Sequence, residues 1–384
     1  MKFYGFHLMP YRHVTREQLD STDTSWVTFS NAVCDPEVCA DLYEEYISEL
    51  VLYDEVGFDG VCVNEHHQTC YGLMPSPNVM AATLIPRVKG KIAILGNALP
   101  LRDHPLRVAE EIAMLDIASK GRVLCGFVRG IGGEYYNFDM DPSQSRDRFY
   151  EAHDLIIKAW TTPGPFEWYG KHYKFRYVNP WPVPIQKPHP PIWSPSQGSA
   201  ETVEWAAKHR YTYCQTLSDP ATVTRIFREF QAACDRHGYT ADPEQMSYSV
   251  PMFVGDTDHE AMRDAEPHML SYFNDLLRMP PNMLFPSGYL TVQSAMRVLA
   301  SRRGLGSSKR EFHELVDKGL VLVGSPDTVY DRLVQLQSES GFGAMAPYFQ
   351  FGTLPPELFR SSVTLFADKV MPGLRSVGAS RNGV

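Results

Sequence analysis

The sequence lacks most of the features that place a chain quickly. Its seven cysteines, at positions 34, 39, 62, 70, 125, 214 and 234, are odd in number, scattered, and form no C-x-x-C pair. That argues against a disulfide framework or a zinc knuckle. Cys62, Cys125 and Cys214 read as small apolar residues inside strands. No run approaches the roughly 18 apolar residues of a membrane span. The opening MKFYGFHLMPYRH is broken by Pro10 and Arg12 before a signal-peptide core forms. A cytoplasmic address is therefore expected. Basic residues number 36 against 45 acidic ones, for a net charge of −9, and no basic block stands out. Phosphate neutralisation needs clustered cations, so nucleic acid is not expected as a partner. There is no G-x-G-x-x-G, no Walker loop, no H-E-x-x-H, no internal repeat and no low-complexity run.

What is present is an alternation of short apolar runs and amphipathic stretches. Over 384 residues, 43% of them hydrophobic, there is ample material for a core. KFYGFHLM (2 to 9), GVCVN, KIAILGNALPL (91 to 101), RVLCGFV (122 to 128), PPIWS (190 to 194), YTYCQT (211 to 216), MSYSVPMFVG and AMAPYFQFG read as strands. Most are followed by a helical pattern. The first of these, from Pro36, is opened by Asp35 and carries Val38, Leu42, Tyr46, Leu50 and Val51 at helical spacing. Eight strand–helix units predict an α/β fold, a (β/α)8 TIM barrel, with an open doubly wound sheet as the alternative; either way the site belongs at the C-terminal ends of the strands. Residues 1–384 read as a single domain with two excursions from the repeat. One, 163–191, is rich in Pro and aromatics and precedes strand five. The other, 257–318, lies between strands seven and eight, includes a basic SRRGLGSSKR, and is apolar and deformable through Met269, Leu270, Tyr272, Phe273 and Met279. It suits a lid or an apolar substrate.

Four stretches carry candidate chemistry. GFDGVCVNEHHQ ends an apolar strand in Glu65, His66 and His67. Histidine exchanges protons near neutral pH, and Glu65 is positioned to fix a ring tautomer. Adjacent residues on a strand face opposite ways, so one imidazole at most reaches the barrel mouth. A metal held by these residues with His7 or His104 is the competing reading, but neighbouring imidazoles rarely share an ion, and no metal is expected. SPSQGSAETVEWAA starts a helix near Ser199, where free N–H groups suit a phosphate and Thr202 adds a hydroxyl. CGFVRGIGGEY puts Arg129 straight off a strand, suited to a phosphate, ahead of glycines that let a ligand approach. LGNALPLRDHP buries Asn97, which needs a hydrogen-bonding partner, in a cofactor or in a neighbouring element.

GFDGVCVNEHHQ, LGNALPLRDHPLRVAEEIAMLDIASKGR, CGFVRG, PPIWSPSQGSAETVEWAA, VGSPDTVYDRL and LFADKVMPGLR occur in this order. Together they resemble the bacterial luciferase-like flavin monooxygenase family. The resemblance implies a (β/α)8 barrel that binds reduced FMN (FMNH2), supplied by a separate NAD(P)H:flavin reductase, and uses O2, through a C4a-hydroperoxyflavin, to oxidise a small organic substrate. It implies that Arg129, Gly198, Ser199 and Thr202 hold the FMN phosphate. Asn97 and Ala98 would lie against the isoalloxazine, in a strand region where some members carry a non-proline cis peptide. His66 matches the catalytic histidine, with Glu65 beside it, and the resemblance also implies a homodimer. Where luciferases carry a reactive cysteine, this sequence has Val128. A deazaflavin-dependent hydride-transfer enzyme, a metal-dependent barrel hydrolase and a non-catalytic flavin-binding subunit are the alternatives.

Overall fold

A computed structural model of the chain describes residues 1–292, 294–296 and 309–377. The strands, in chain order, are β1 (Lys2–Phe6), β2 (Gly60–Val63), β3 (Lys91–Ala98), β4 (Val123–Val128), β5 (Phe166–Tyr169), β6 (Lys174–Val178), β7 (Ile192–Ser196), β8 (Thr212–Thr216), β9 (Met246–Ser249), β10 (Met252–Val254), β11 (Leu322–Gly324) and β12 (Ala344–Met345). Eight of them close into a barrel in the order β1-β12-β9-β8-β7-β4-β3-β2. Every pairing within it is parallel. Between strands run helices such as Pro36–Glu55, Pro105–Ala118, Ser145–Thr161, Ala200–His209 and Pro220–Arg236. The fold is the (β/α)8 barrel that the strand count predicts.

Local chemistry accounts for the elements. The Asp35 carboxylate accepts the Glu37 N–H and Pro36 takes the first helical position, so the helix starts where the sequence says it should. Leu42, Tyr46 and Leu50 from its apolar stripe are buried, while Val38 and Val51 lie at its margin. The lumen is filled from opposite walls: Tyr4 of β1 and Trp193 of β7 meet edge to face at 5.1 Å. Cys62, Cys125 and Cys214 are buried in β2, β4 and β8.

Three strand expectations change. MSYSVPMFVG is two strands, because Pro251 has no N–H for the ladder; β9 stays in the barrel while β10 pairs with β11 in a separate parallel pair. The long first and last runs keep only Lys2–Phe6 and Ala344–Met345 as barrel strand. The Pro- and aromatic-rich excursion contains the antiparallel hairpin β5–β6. The later excursion contributes the helix Asp258–Ser271, a π-helical turn Tyr272–Leu276 and the short helices Pro281–Leu284 and Phe312–Asp317. Most of the basic SRRGLGSSKR, residues 301–308, lies outside the described residues.

One contact fixes the barrel wall beside the candidate site. Gly96 of β3 and Gly126 of β4 stand back to back, where the register shifts between Ile94 and Asn97. A Cβ on Gly126 would meet the Ile94 carbonyl oxygen at 2.0 Å, and one on Gly96 would meet Gly126 backbone at 2.5 Å. Only glycine fits either position. The Leu95–Gly96 peptide is cis, within the strand region named above.

Candidate active site

At the C-terminal end of β2, the chain emerges as Asn64-Glu65-His66-His67 and the two imidazoles part company. Glu65 and His67, two residues apart, point the same way, as a near-extended chain requires. Glu65 Oε1 lies 2.8 Å from His67 Nε2. Its Oε2 accepts the Arg102 guanidinium at 2.6 Å and the Ala98 N–H at 3.3 Å. His66 points the other way and meets Glu134, with Nδ1 at 2.9 Å from Oε1. The ring that Glu65 orients is that of His67, while Glu134 orients His66.

Glu134 belongs to a short helix, Gly132–Asn137, and caps it: Oε2 accepts the Ile131 N–H at 2.8 Å. With Glu134 fully buried and both its oxygens accepting, the imidazole proton sits on Nδ1. Nε2 then keeps its lone pair, with no protein partner among the described residues. Edges of two aromatic rings flank the imidazole, Trp26 at 5.3 Å and Tyr71 at 4.9 Å. In the sequence the I-G-G-E stretch stands out for its glycines, and Glu134, three residues past an Ile that cannot cap, carries no signal of its own.

Asn97 makes the structural bond of its two readings. Its side-chain amide pairs reciprocally with Asn78, at 2.9 and 3.2 Å, and Asn78 also donates to Glu111. What Asn97 and the buried Ala98 can offer a ligand is backbone.

The anion-friendly residues converge through intermediaries. Arg129 donates to Ser145 Oγ at 3.2 Å and to the Tyr289 carbonyl at 3.1 Å, and its guanidinium lies 4.4 Å from the Tyr289 ring centre. It has no carboxylate partner among the described residues. Arg146, next in sequence to Ser145, reaches to 3.5 Å from Glu201 Oε1, and its Nη2 is buried with no hydrogen bond. Glu201 stands in the first turn of the helix Ala200–His209 and accepts the Ser199 hydroxyl at 2.8 Å. It also accepts the hydroxyls of Thr291 at 2.7 Å and Ser294 at 3.0 Å. Burial pushes the Glu201 carboxyl upward, but the bonds from Thr291, its own backbone N–H and Ser199, with Arg146 nearby, bring it down to about 2. Ser199 occupies the N-cap position without capping through its side chain. The Gly198 N–H is spent on Tyr213 Oη at 3.1 Å, and the Thr202 N–H on the Ser199 carbonyl. Arg129 and Ser199 are thus linked through Ser145, Arg146 and Glu201, and the Ser199 hydroxyl, like the Gly198 and Thr202 N–H groups, has a partner of its own. Arg146, Glu201 and Tyr289 were missed, because nothing local in the sequence sets them apart.

The residues of the metal reading have other partners. His7 faces Glu49 at 2.7 Å, on the helical side of β1, and His104 packs toward Phe175. Among the described residues no group of three or more His, Cys, Asp or Glu is placed to hold a metal ion. No helix among them is long and apolar enough to cross a membrane. Two open surface clefts, of about 530 and 630 Å³, lie elsewhere, lined by residues such as Glu357 and Arg360, or Arg225 and Arg228. They share no residue with this constellation.

A family model described as luciferase-like monooxygenase matches residues 26–342. The alkanal monooxygenase alpha chain of Photorhabdus luminescens is 26% identical over 343 residues, covering 84% of this chain and 89% of the relative. The oxygenase component of the flavin-dependent trigonelline monooxygenase of Acinetobacter baylyi is 28% identical over 236 residues, covering 56% of this chain and 63% of that one. In fold, the oxygenating constituent of 3,6-diketocamphane monooxygenase from Pseudomonas putida, solved with FMN, superimposes with a TM-score of 0.70 at 20% identity, over 97% of this chain and 98% of that one.

Proposed function

This chain belongs to the luciferase-like monooxygenase family, and on that premise we propose that it is an FMN-dependent monooxygenase that uses reduced FMN and O2 to oxidise a small, largely apolar organic substrate. The observation that carries the flavin assignment is the anion corner. It combines an Arg129 with no carboxylate partner among the described residues, an Arg146 whose buried Nη2 makes no hydrogen bond and has only the 3.5 Å ion-pair contact to Glu201, and a helix N-terminus at Ser199, whose hydroxyl rests on Glu201. Two guanidiniums against one carboxylate, Glu201, leave one net positive charge, which fits a phosphate monoester. Arg129, Arg146 and Ser199 would hold that phosphate. Gly96 and Gly126, which keep the β3–β4 wall free of side chains, together with Ala98, would flank the ring.

Bound reduced FMN would supply the electrons that activate oxygen. The residues of this chain do the rest. His66 holds or moves a proton at Nε2 as general acid or base, and Glu134 keeps the ring in the tautomer that frees that atom. Trp26 and Tyr71 exclude water from the imidazole, lowering the polarity in which the proton moves. Glu65 binds Arg102 and the Ala98 N–H, which supports the strand end on which a ring would lie.

The description of the Acinetobacter relative as an oxygenase component supports a separate NAD(P)H:flavin reductase as partner. A homodimer in the cytoplasm completes the reading; exposed Val79, Met114 and Ile117, on two helices that pack together, support the dimer. The test is an anaerobic titration with reduced FMN, followed by rapid mixing with oxygenated buffer. Saturable binding and a transient absorbance distinct from both reduced and oxidised FMN are expected. Absence of reduced-FMN binding overturns the reading in favour of a deazaflavin; binding without the transient overturns it in favour of an accessory flavin-binding subunit.

A further inference from the structure

Beside His66 lies a feature that the flavin assignment leaves unused. Three buried tyrosines, drawn from three distant parts of the chain, join their hydroxyls in a line. Tyr71 follows β2, Tyr272 opens the π-helical turn of the later excursion, and Tyr348 follows β12. The Tyr71 and Tyr272 hydroxyl oxygens are 3.3 Å apart, and those of Tyr272 and Tyr348 3.2 Å. The residues are only 5%, 1% and 2% exposed. Each hydroxyl has one proton to donate, so the string holds three protons and makes two links. Whichever way the links run, one of the three O–H groups, at an end or in the middle, has no acceptor among the described residues. Buried donors are rarely left so, and none of the described residues supplies the missing acceptor.

The surroundings limit that group. Tyr71 lies tilted against Trp26 at 4.8 Å and stacked on Tyr272 at 5.9 Å, while Phe6 meets the Tyr348 ring edge to face at 5.6 Å. The Trp26 indole N–H is committed to the Leu276 carbonyl at 2.8 Å, so Trp26 offers a ring and no donor. Ser25 Oγ donates to the Asp275 and Leu276 carbonyls, and Thr24 Oγ1 to that of Arg278, which tie this wall to the excursion. The charged partner at the imidazole is Glu134, which His66 satisfies. Flat aromatic faces with a single spare donor suit a neutral, planar, largely apolar molecule with one acceptor atom.

We propose that the Tyr71–Tyr272–Tyr348 string is the substrate-recognition element, donating one hydrogen bond to a carbonyl oxygen or equivalent acceptor on a neutral, planar substrate held beside His66. Burial raises all three phenols well above their ordinary value, so the string stays protonated and donating at neutral pH. The proposal names the substrate class of the oxygenase reading and rests on it for the location of the chemistry, but it has its own test.

The probes are acetophenone and α-methylstyrene, which share a shape and differ in having C=O or C=CH2. Their binding to the full chain is measured by calorimetry without oxygen, with and without reduced FMN. The wild type is expected to prefer acetophenone by about tenfold, the value of one well-placed hydrogen bond. One of Tyr71→Phe, Tyr272→Phe and Tyr348→Phe should abolish that preference and so identify the donor, with α-methylstyrene affinity held within about twofold as a check on folding. Equal affinity for the two probes, binding of neither, or a preference that survives all three variants overturns the proposal. Loss of reduced-FMN binding in the same samples counts against the flavin reading alone, since the probe comparison is also made without flavin.

Discussion

Replacing Glu134 by Gln changes one atom type at a fully buried position and separates positioning from packing. The carboxylate accepts two hydrogens, from His66 Nδ1 at 2.9 Å and from the Ile131 N–H at 2.8 Å. The two hydrogens meet different oxygens, and an amide puts an oxygen at only one of those sites and an NH2 at the other. If the oxygen keeps the Ile131 cap, the amide NH2 faces Nδ1 and drives the imidazole proton to Nε2, removing the lone pair on which acid–base work depends. The loss expected in the proton-dependent step is about 10²- to 10⁴-fold, the range of a general acid–base contribution. Stability should fall by roughly 1.5–3 kcal/mol, the worth of a charge-assisted hydrogen bond. The assay is rapid mixing of the reduced-flavin complex with oxygen, read as the slowest flavin absorbance change, beside an anaerobic titration. Affinity for reduced FMN should stay within about threefold, and Glu134→Asp should recover part of the rate. Because Glu134 acts through His66, His66→Ala combined with Glu134→Gln should be no slower than His66→Ala alone. A Glu134→Gln enzyme with full rate, or effects that multiply in the double variant, would refute the assignment.

Other outcomes follow from the same geometry. Arg129→Ala and Arg146→Ala should each weaken reduced FMN roughly 10- to 100-fold while leaving reduced riboflavin, which has no phosphate, unchanged in titration. Gly126→Ala drives a methyl group into the Ile94 carbonyl at 2.0 Å; a loss of about 1–3 kcal/mol or more is expected in urea denaturation. His209 is held neutral down to about 4, by burial first and then by the charges of His153 and Lys208. Its folded value lies below its unfolded one, so its contribution is whole above about 6.5 and is lost as pH falls from there toward 4. His209→Asn should flatten the dependence of the urea midpoint on pH across that window.

The parts of this molecule legible in the sequence are those set by near neighbours. Asp35 and Pro36 announce a helix because cap and first turn are adjacent, and β2 is readable as a continuous apolar run that gives way, at Asn64 to His67, to polar side chains alternating in direction. That same alternation separates His66 from Glu65, yet the residue that takes Glu65's place, Glu134, lies 68 positions away and meets His66 only once β2 and β4 are in the same barrel. Arg146 and Tyr289 are hidden for the same reason, since one is an ordinary Arg in a charged helix and the other an ordinary Tyr in a long connection. Asn97 was readable as a buried amide in need of a partner, but Asn78 comes from the helix Pro77–Leu84, outside its strand. Pro251 was in plain view, and its missing N–H splits one expected strand into β9 and β10.

The wall that carries Trp26 is fastened to the excursion at Thr24, Ser25 and Trp26, all of them donors to carbonyls of residues 275, 276 and 278. These two stretches, some 250 positions apart in the chain, are therefore a single inheritable part. A chimera that imports the excursion from a relative without residues 24–26 would set side chains from one parent against carbonyls shaped for another, and would strand the indole N–H in an apolar wall. Altering what the barrel mouth accepts is consequently a graft at two places, residues 24–26 and the excursion together.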